Sequence, residues 1–254
     1  MDKPLISVIL PVYNEAGNLT PLTKEFQNAL AALGIDFEII FVDDNSNDGS
    51  AAEIAALQKQ YAGITYVKHR KIYGQSAAFV TGFKIAKADI LLTMDADGQN
   101  VPGDAPRLLH KLAEGFDAVY GVRQKRSDTK VKKLSSKIGN RFRDAVTGVK
   151  VHDAGCSYRV FYKRTVQELP AFNGLHRFLP TLWKIHGFKV GHVAVSHRQR
   201  TIGVSKYGIR NRAARGIADC LAMRWYRKRA LPDIRLEPVA DNTTSGEIKS
   251  DNEQ

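Results

Sequence analysis

The first half of the chain repeats one pattern: a short apolar run, an abrupt polar turn, then apolar residues at helical spacing. Leu5 to Leu10 is such a run, halted at Pro11. Residues 18–33 then carry Leu19, Leu22, Phe26, Leu30 and Leu33 at helical spacing, and Gly34 stops them. Phe37–Val42 reads as a second strand, Ile64–Val67 as a third, Asp89–Thr93 as a fourth and Ala118–Gly121 as a fifth. Helices are expected through Ile54 and Leu57, over Gln75–Ala86 and over Ala105–Glu114. Strands alternating with helices of this length predict an α/β fold with a mostly parallel sheet covered on both faces. Ligands of such sheets bind at the carboxyl ends of the strands. Tyr13-Asn14-Glu15, Asp43-Asp44 and Asp95-Asp97 each directly follow a different strand, so three acidic clusters are expected on one rim.

The second half is less regular. Nine Lys and Arg side chains crowd residues 123–143, with Asp128 the lone acid before Asp144. Cys156–Tyr162 and Phe188–Val195 read as strands, Arg177–Ile185 as a helix, and Tyr207 to about Arg229 as a long helix. On a helical wheel, Ile209, Ala213, Ile217, Cys220, Leu221 and Trp225 share a face, opposed by Arg212, Arg215, Asp219 and Tyr226. Arg210 precedes and Arg224, Arg227, Lys228 and Arg229 follow, which is the pattern of a helix lying in anionic headgroups, although packing on the protein's own core explains the apolar face equally well. Residues 233–254 are polar, acid-rich and aperiodic, and are expected to form a disordered tail.

Two carboxylates two residues apart at a strand end lie on one side of an extended chain. Magnesium typically takes one or two carboxylates plus substrate phosphates, so Asp95 and Asp97 suit a cation that carries a diphosphate, whereas an isolated pair is more often a solvated turn. The net charge of +12 calls for an anionic partner: nucleic acid, lipid or a phosphate-bearing substrate. Nucleic acid is disfavoured because no RNP, KH, helix-turn-helix or zinc-finger signature occurs and the strand-end acids would have no role. Neither GxGxxG nor GxxxxGK[ST] follows a strand, which excludes dinucleotide and P-loop chemistry. Cys156 and Cys220 stand alone, as two small buried side chains in a reducing compartment. MDKPLISVIL lacks the pattern of a signal peptide, and no stretch approaches the ~20 apolar residues of a spanning helix.

Taken together, Pro11-Val12-Tyr13-Asn14-Glu15, the stretch from Val42 to Ser50 and Met94-Asp95-Ala96-Asp97-Gly98-Gln99 resemble family 2 glycosyltransferases of the GT-A fold. That resemblance implies that Pro11, Tyr13, Glu15, Val42 and Asp44 hold the base and ribose of a nucleotide-sugar. It implies that Asp95, Ala96 and Asp97 meet the ribose and diphosphate, with Asp97 and Gln99 binding Mg2+ or Mn2+.

Farther along, Arg123, Asp153-Ala154-Gly155-Cys156-Ser157-Tyr158-Arg159, His176-Arg177-Phe178-Leu179-Pro180 and Arg200-Thr201-Ile202-Gly203-Val204-Ser205-Lys206-Tyr207 resemble polyprenyl-phosphate glycosyltransferases, of which the dolichyl-phosphate mannosyltransferases are best known. Cys156-Ser157-Tyr158-Arg159 departs from the Ser-Gly-Phe-Arg of many members. The implied reaction moves a hexose from a GDP- or UDP-sugar to dolichyl or undecaprenyl phosphate, with inversion. Arg123, Arg200 and Lys206 are assigned to the donor, and Ser157, Arg159, His176 and Arg177 to the acceptor. Asp97, Asp153, Arg200 and Lys206 form the catalytic set, Asp153 being an orienting group, a base or a structural carboxylate. The expected organisation is a GT-A domain over 1–232, with a nucleotide-sugar half (5–122), an acceptor half (123–206) and an interfacial helix (207–229). A peripheral place on the cytoplasmic face of an anionic membrane follows, with a separate membrane protein as a conceivable partner. A transferase using a soluble carbohydrate acceptor is the alternative.

Overall fold

A computed structural model of the chain describes residues 5–124, 130–200 and 209–231. Seven strands form one sheet: β1 (Ile6–Val12), β2 (Phe37–Asp43), β3 (Ile64–Lys68), β4 (Ile90–Thr93), β5 (Ala118–Arg123), β6 (Arg159–Tyr162) and β7 (Val190–Val195). Their order is β3-β2-β1-β4-β6-β5-β7. All seven expected strands are present, and β1 pairs in parallel with both β2 and β4. β6 is the exception, antiparallel to both β4 and β5. A strand from the second half of the chain is thereby inserted between two strands of the first, and one sheet runs through both halves.

Alternation along β1 shows how the strands are covered. Ile6, Val8, Leu10 and Val12 face a core completed by α1 (Leu19–Ala31), α2 (Ser50–Gln60) and α4 (Ala105–Ala113). Ile9 faces the opposite core, built by α3 (Gln75–Ile85), α7 (Leu175–Ile185) and the buried Cys220 and Met223 of α8 (Ile209–Arg229). Gly82 sets how close α3 lies: a Cβ there would come within 2.3 Å of Ile9 Cγ2. Any larger residue would lift α3, and the site residues at its N-terminus, off the sheet.

α5 (Lys130–Thr147) packs along α8, and α6 (Arg164–Gln167) is a single turn after β6. From Lys130 onward the basic stretch is therefore helical, while Arg123 ends β5. Two of its cations face inward. Arg143 is 8% exposed and donates to Asp144, Asn140 and the carbonyl of Val151, and Arg123 pairs with Asp153. The wheel reading of α8 also needs correction. Cys220 and Met223 are buried, while Ile217, Leu221 and Trp225 point outward and are exposed. Asp219, assigned to the polar face, binds Arg177, and Tyr226 binds His186. From Gly216 onward the helix therefore carries two apolar faces, one of them spent on the core. Side chains before Gly216, and the tail expected over 233–254, lie outside those described. Both cysteines are buried and free, and burial pushes the Cys156 thiol up to about 11.

Candidate active site

Parallel pairing aligns the carboxyl ends of β1, β2 and β4. Val12 pairs with Asp43, Ile9 pairs with Thr93, and the Met94 amide still donates to Ile9 O at 3.4 Å. Glu15, Asp44 and Asp95–Asp97 therefore leave the sheet side by side, as the strand-end rule requires.

The loop after β1 is held amide by amide from the segment after β2. Asn14 N donates to Ser46 Oγ (2.9 Å), Glu15 N to Ser50 Oγ (2.9 Å), Ala16 N to Asp48 Oδ2 (3.0 Å) and Gly17 N to Glu53 Oε2 (2.6 Å). Glu53 also accepts from Thr20 N at 2.7 Å and so caps α1, whose own N-cap, Asn18, makes no capping bond. Tyr13 and Glu15 sit on this stiffened loop. Pro11 is half-buried, while Val42 is fully buried in the core and shapes the rim from behind.

Asp44 is 4% exposed and accepts three bonds: from Tyr73 N (2.8 Å) and Gly74 N (2.6 Å), and, on Oδ1, the hydrogen bond shared with His69 Nδ1 (2.8 Å). Gly74 has φ 93°, where residues with a Cβ are strained, and this lets the backbone present two consecutive amides. The next residue, Gln75, donates to Asp95 Oδ1 at 2.5 Å. One turn at the head of α3 thus joins the tips of β2 and β4.

Around Asp95, Ala96 turns into the core while the flanking carboxylates do not. Burial first, and then the Asp97 carboxylate, pushes Asp95 up to about 6. Asp97 Oδ1 accepts the Gln99 amide at 3.1 Å. No group of three or more His, Cys, Asp or Glu among the described residues could hold a metal alone. The oxygen-only set of Asp97 and Gln99, with Asp95 beside it, fits a hard cation that draws its remaining ligands from a substrate diphosphate, and does not fit zinc.

The segment after β7 is laid across this edge. Ser196 N donates to Asp104 Oδ2 (2.6 Å), Arg198 N to Gln99 O (2.7 Å), and the Arg198 guanidinium grips Glu25 at 2.8 and 2.7 Å. Two residues on, Arg200 reaches Glu15 Oε1 at 2.5 Å, and Glu15 Oε2 accepts from Asn18. Arg200 is thereby brought to the carboxylate rim. Lys206 lies outside the described residues.

On the far side, Arg123 and Asp153 form a two-bond pair, Nε to Oδ2 and Nη2 to Oδ1, both 2.8 Å, with little exposure of either side chain. Ser157 ties the end of β4: its Oγ accepts from Asp95 N at 3.1 Å and its carbonyl from Thr93 Oγ1 at 2.8 Å. Arg159 lies beneath, 1% exposed, and burial pulls its guanidinium down to about 10. His176 shares a 2.7 Å hydrogen bond with Ser76, and burial, then the charges of Arg159 and Arg177, hold it neutral with its pKa pulled down to about 3. Arg177 joins Asp219 of α8 at 3.1 Å. Sequence reasoning missed Glu53, Gln75, Ser76 and His69, which position this site from other elements.

A family model described as glycosyl transferase family 2 matches residues 7–169. Undecaprenyl-phosphate 4-deoxy-4-formamido-L-arabinose transferases of Pseudomonas paraeruginosa and Pseudomonas aeruginosa are 36% identical over 204 residues, 80% of this chain. The chain spans 60% of the length of these relatives. Among solved structures, glucosyl-3-phosphoglycerate synthase from Mycobacterium tuberculosis in complex with Mn2+, UDP-glucose and phosphoglyceric acid superposes with a TM-score of 0.65 at 17% identity, covering 91% of this chain and 81% of that one. A mannosyltransferase from Pyrobaculum calidifontis in complex with GDP-Man and Mn2+ gives 0.59, also at 17% identity, covering 91% and 71%. The shared architecture is the GT-A fold.

Proposed function

Because the chain belongs to glycosyl transferase family 2, we propose that it transfers a sugar from a nucleotide-sugar to a polyprenyl phosphate at an anionic membrane surface. The observation that carries this reading is the rim itself, where Glu15, Asp44 and Asp95–Asp97 stand together and Arg200 is delivered to them. Pro11, Tyr13, Glu15 and Asp44 take the base and ribose, with Val42 behind them. Asp95 and the backbone of Ala96, whose side chain is buried, line the ribose and diphosphate, and Asp97 and Gln99 would hold Mg2+ or Mn2+, which would supply positive charge to the leaving diphosphate. Arg200 and Lys206 add to that charge, Arg200 by exchanging Glu15 for phosphate.

An acceptor phosphate oxygen attacks the anomeric carbon as the carbon–diphosphate oxygen bond breaks, and the electron pair leaves with the nucleoside diphosphate. A phosphate is already anionic near neutral pH, its second pKa being about 6, so no strong base is required. Asp153, gripped by Arg123, accordingly orients the acceptor side. Ser157, His176 and Arg177 complete that side, while Arg159, which the resemblance assigns to the acceptor as well, is buried beneath them, and the Arg177–Asp219 pair links that side to α8. The polyprenyl acceptor is supported by the names of the Pseudomonas relatives. Membrane docking, which we place on the cytoplasmic face, draws its support from Ile217, Leu221, Trp225 and Leu231, all exposed, beside Arg224, Lys228 and Arg229. No helix among the described residues is long and apolar enough to cross a membrane.

The test is transfer from labelled UDP- and GDP-sugars to undecaprenyl or dolichyl phosphate in anionic vesicles free of other protein, with Mg2+ or Mn2+. Turnover is expected there, and Asp97→Asn is expected to lower it at least ~100-fold with the melting temperature retained. Equal transfer to a soluble carbohydrate without lipid would overturn the acceptor assignment.

A further inference from the structure

Arg159 is the largest charged side chain withdrawn from solvent, and the rest of the site leaves it underused. It begins β6, paired with Thr93 of β4 and Tyr120 of β5, and is 1% exposed. Among the described residues its hydrogen bond is a single 3.3 Å contact from Nη2 to Ala154 O, and Nε and Nη1 meet no partner. A buried guanidinium offers five N–H groups and costs heavily when they are unmatched. The acids close enough to act on its charge are Asp95 and Asp153, and each is engaged elsewhere. Asp95 Oδ1 accepts from Gln75, and both Asp153 oxygens accept from Arg123. His176, which also feels the Arg159 charge, is held to Ser76.

We propose that Arg159 selects the donor by receiving an sp2 oxygen, a carboxylate or an amide carbonyl, carried on the ring of the transferred sugar. This rests on the proposed function, which puts the diphosphate at Asp95–Asp97 and hence the sugar next to it. Arg159 is the register partner of Thr93, two residues before Asp95, and is buried behind the rim. A sugar hydroxyl is a poorer match, because it brings a donor of its own, and Asp95 Oδ1 and both Asp153 oxygens already accept. Carboxylates and carbonyls only accept.

Three donor pairs test this: UDP-glucuronate against UDP-glucose, UDP-N-acetylglucosamine against UDP-glucose, and UDP-4-deoxy-4-formamido-L-arabinose against UDP-L-arabinose. Each is measured for binding by calorimetry with Mn2+ and for transfer to undecaprenyl phosphate. The wild type is expected to favour the oxygen-bearing member of one pair by on the order of 10–100-fold, the range of a hydrogen bond to a charged group. The pair that responds distinguishes carboxylate from amide. Arg159→Met should reduce that ratio to near unity, and Arg159→Lys, which keeps the charge without the planar fork, is the second variant if Met does not fold. Arg164→Gln, which breaks the surface pair with Asp117, should leave the ratio unchanged. A ratio near unity for every pair in the wild type, or one unaltered in the Arg159 variants, overturns the assignment. So does an Arg159 effect confined to the KM for polyprenyl phosphate. Absence of transfer from every donor would reject the proposed function, while the calorimetric ratio still decides the role of Arg159.

Discussion

Glu53→Gln offers a direct test of how the loop after β1 is held. Glu53 is contributed by α2, yet its two oxygens accept the amides of Gly17 and Thr20, at 2.6 and 2.7 Å, at the entry to α1. Glutamine keeps one acceptor oxygen and turns an NH2 group toward the other amide. One charge-assisted bond is lost, and with it a carboxylate at a helix N-terminus. Hydrogen bonds to charged groups contribute about 1.5–3 kcal/mol, and partial exposure here argues for the lower end, about 1–2 kcal/mol in all. For a chain of this size that lowers the melting temperature by roughly 2–8 °C. The same loosening acts on Tyr13 and Glu15, so donor affinity should weaken by up to about 5–30-fold, with kcat less affected. Scanning calorimetry and titration with a nucleotide-sugar in Mn2+ report the two effects separately. A lowered melting temperature with donor affinity within about twofold of wild type would show that the clamp serves α1 alone. An unchanged melting temperature would refute the energetic reasoning altogether.

Asp153→Asn takes the charge partner and one of two hydrogen bonds from the mostly buried Arg123 guanidinium, and should cost about 3 kcal/mol, or roughly 6–12 °C in melting temperature. Adding Arg123→Met should restore much of the stability without restoring transfer, and equal instability of the double variant would refute the pairing as the cause. The pH dependence of stability should carry the signature of His176. An unfolded histidine binds a proton below about 6.5, whereas in the fold burial and the nearby arginines delay protonation to about 3. Stability should thus fall by up to about 1.4 kcal/mol per pH unit as pH drops below 6.5, and be unaffected above it. Denaturation at pH 8, 6 and 5 should show a shallower fall in His176→Asn, and identical slopes would refute this account.

The strands were legible because each is an apolar run with an abrupt stop, and parallel pairing then fixed where Glu15, Asp44 and Asp97 must stand. Nothing local encodes the antiparallel insertion of β6 between β4 and β5, because its partners come from elsewhere in the chain. The charges along 123–143 masked α5, and the inward turn of Arg143 depends on Asp144, Asn140 and Val151 meeting it in three dimensions. Ser50 and Glu53 have the spacing of a capping box for α2, yet the N-cap is Gly49 and Glu53 reaches across to α1. A helical wheel counts apolar residues without knowing which are already covered, so it merged Cys220 with the exposed Leu221 and Trp225.

The head of α3 explains why the two ends of the site hold a fixed distance. Tyr73 and Gly74 bind Asp44 through backbone amides, Gln75 binds Asp95 through its side chain, and Ser76 is bonded to His176. Four consecutive residues therefore reach Asp44, Asp95 and, in the first turn of α7, His176. None of these groups can shift without moving α3, and Gly82 seats α3 against Ile9 so closely that it has little room to move. Under the proposed function, a donor whose base, diphosphate and sugar match that spacing would meet carboxylates already oriented, and the reorganisation on binding would fall to Arg200, which the structure holds on Glu15. Rigidity on the sheet side and exchange of partners on the side of Arg200 are thus two consequences of the same hydrogen-bond pattern.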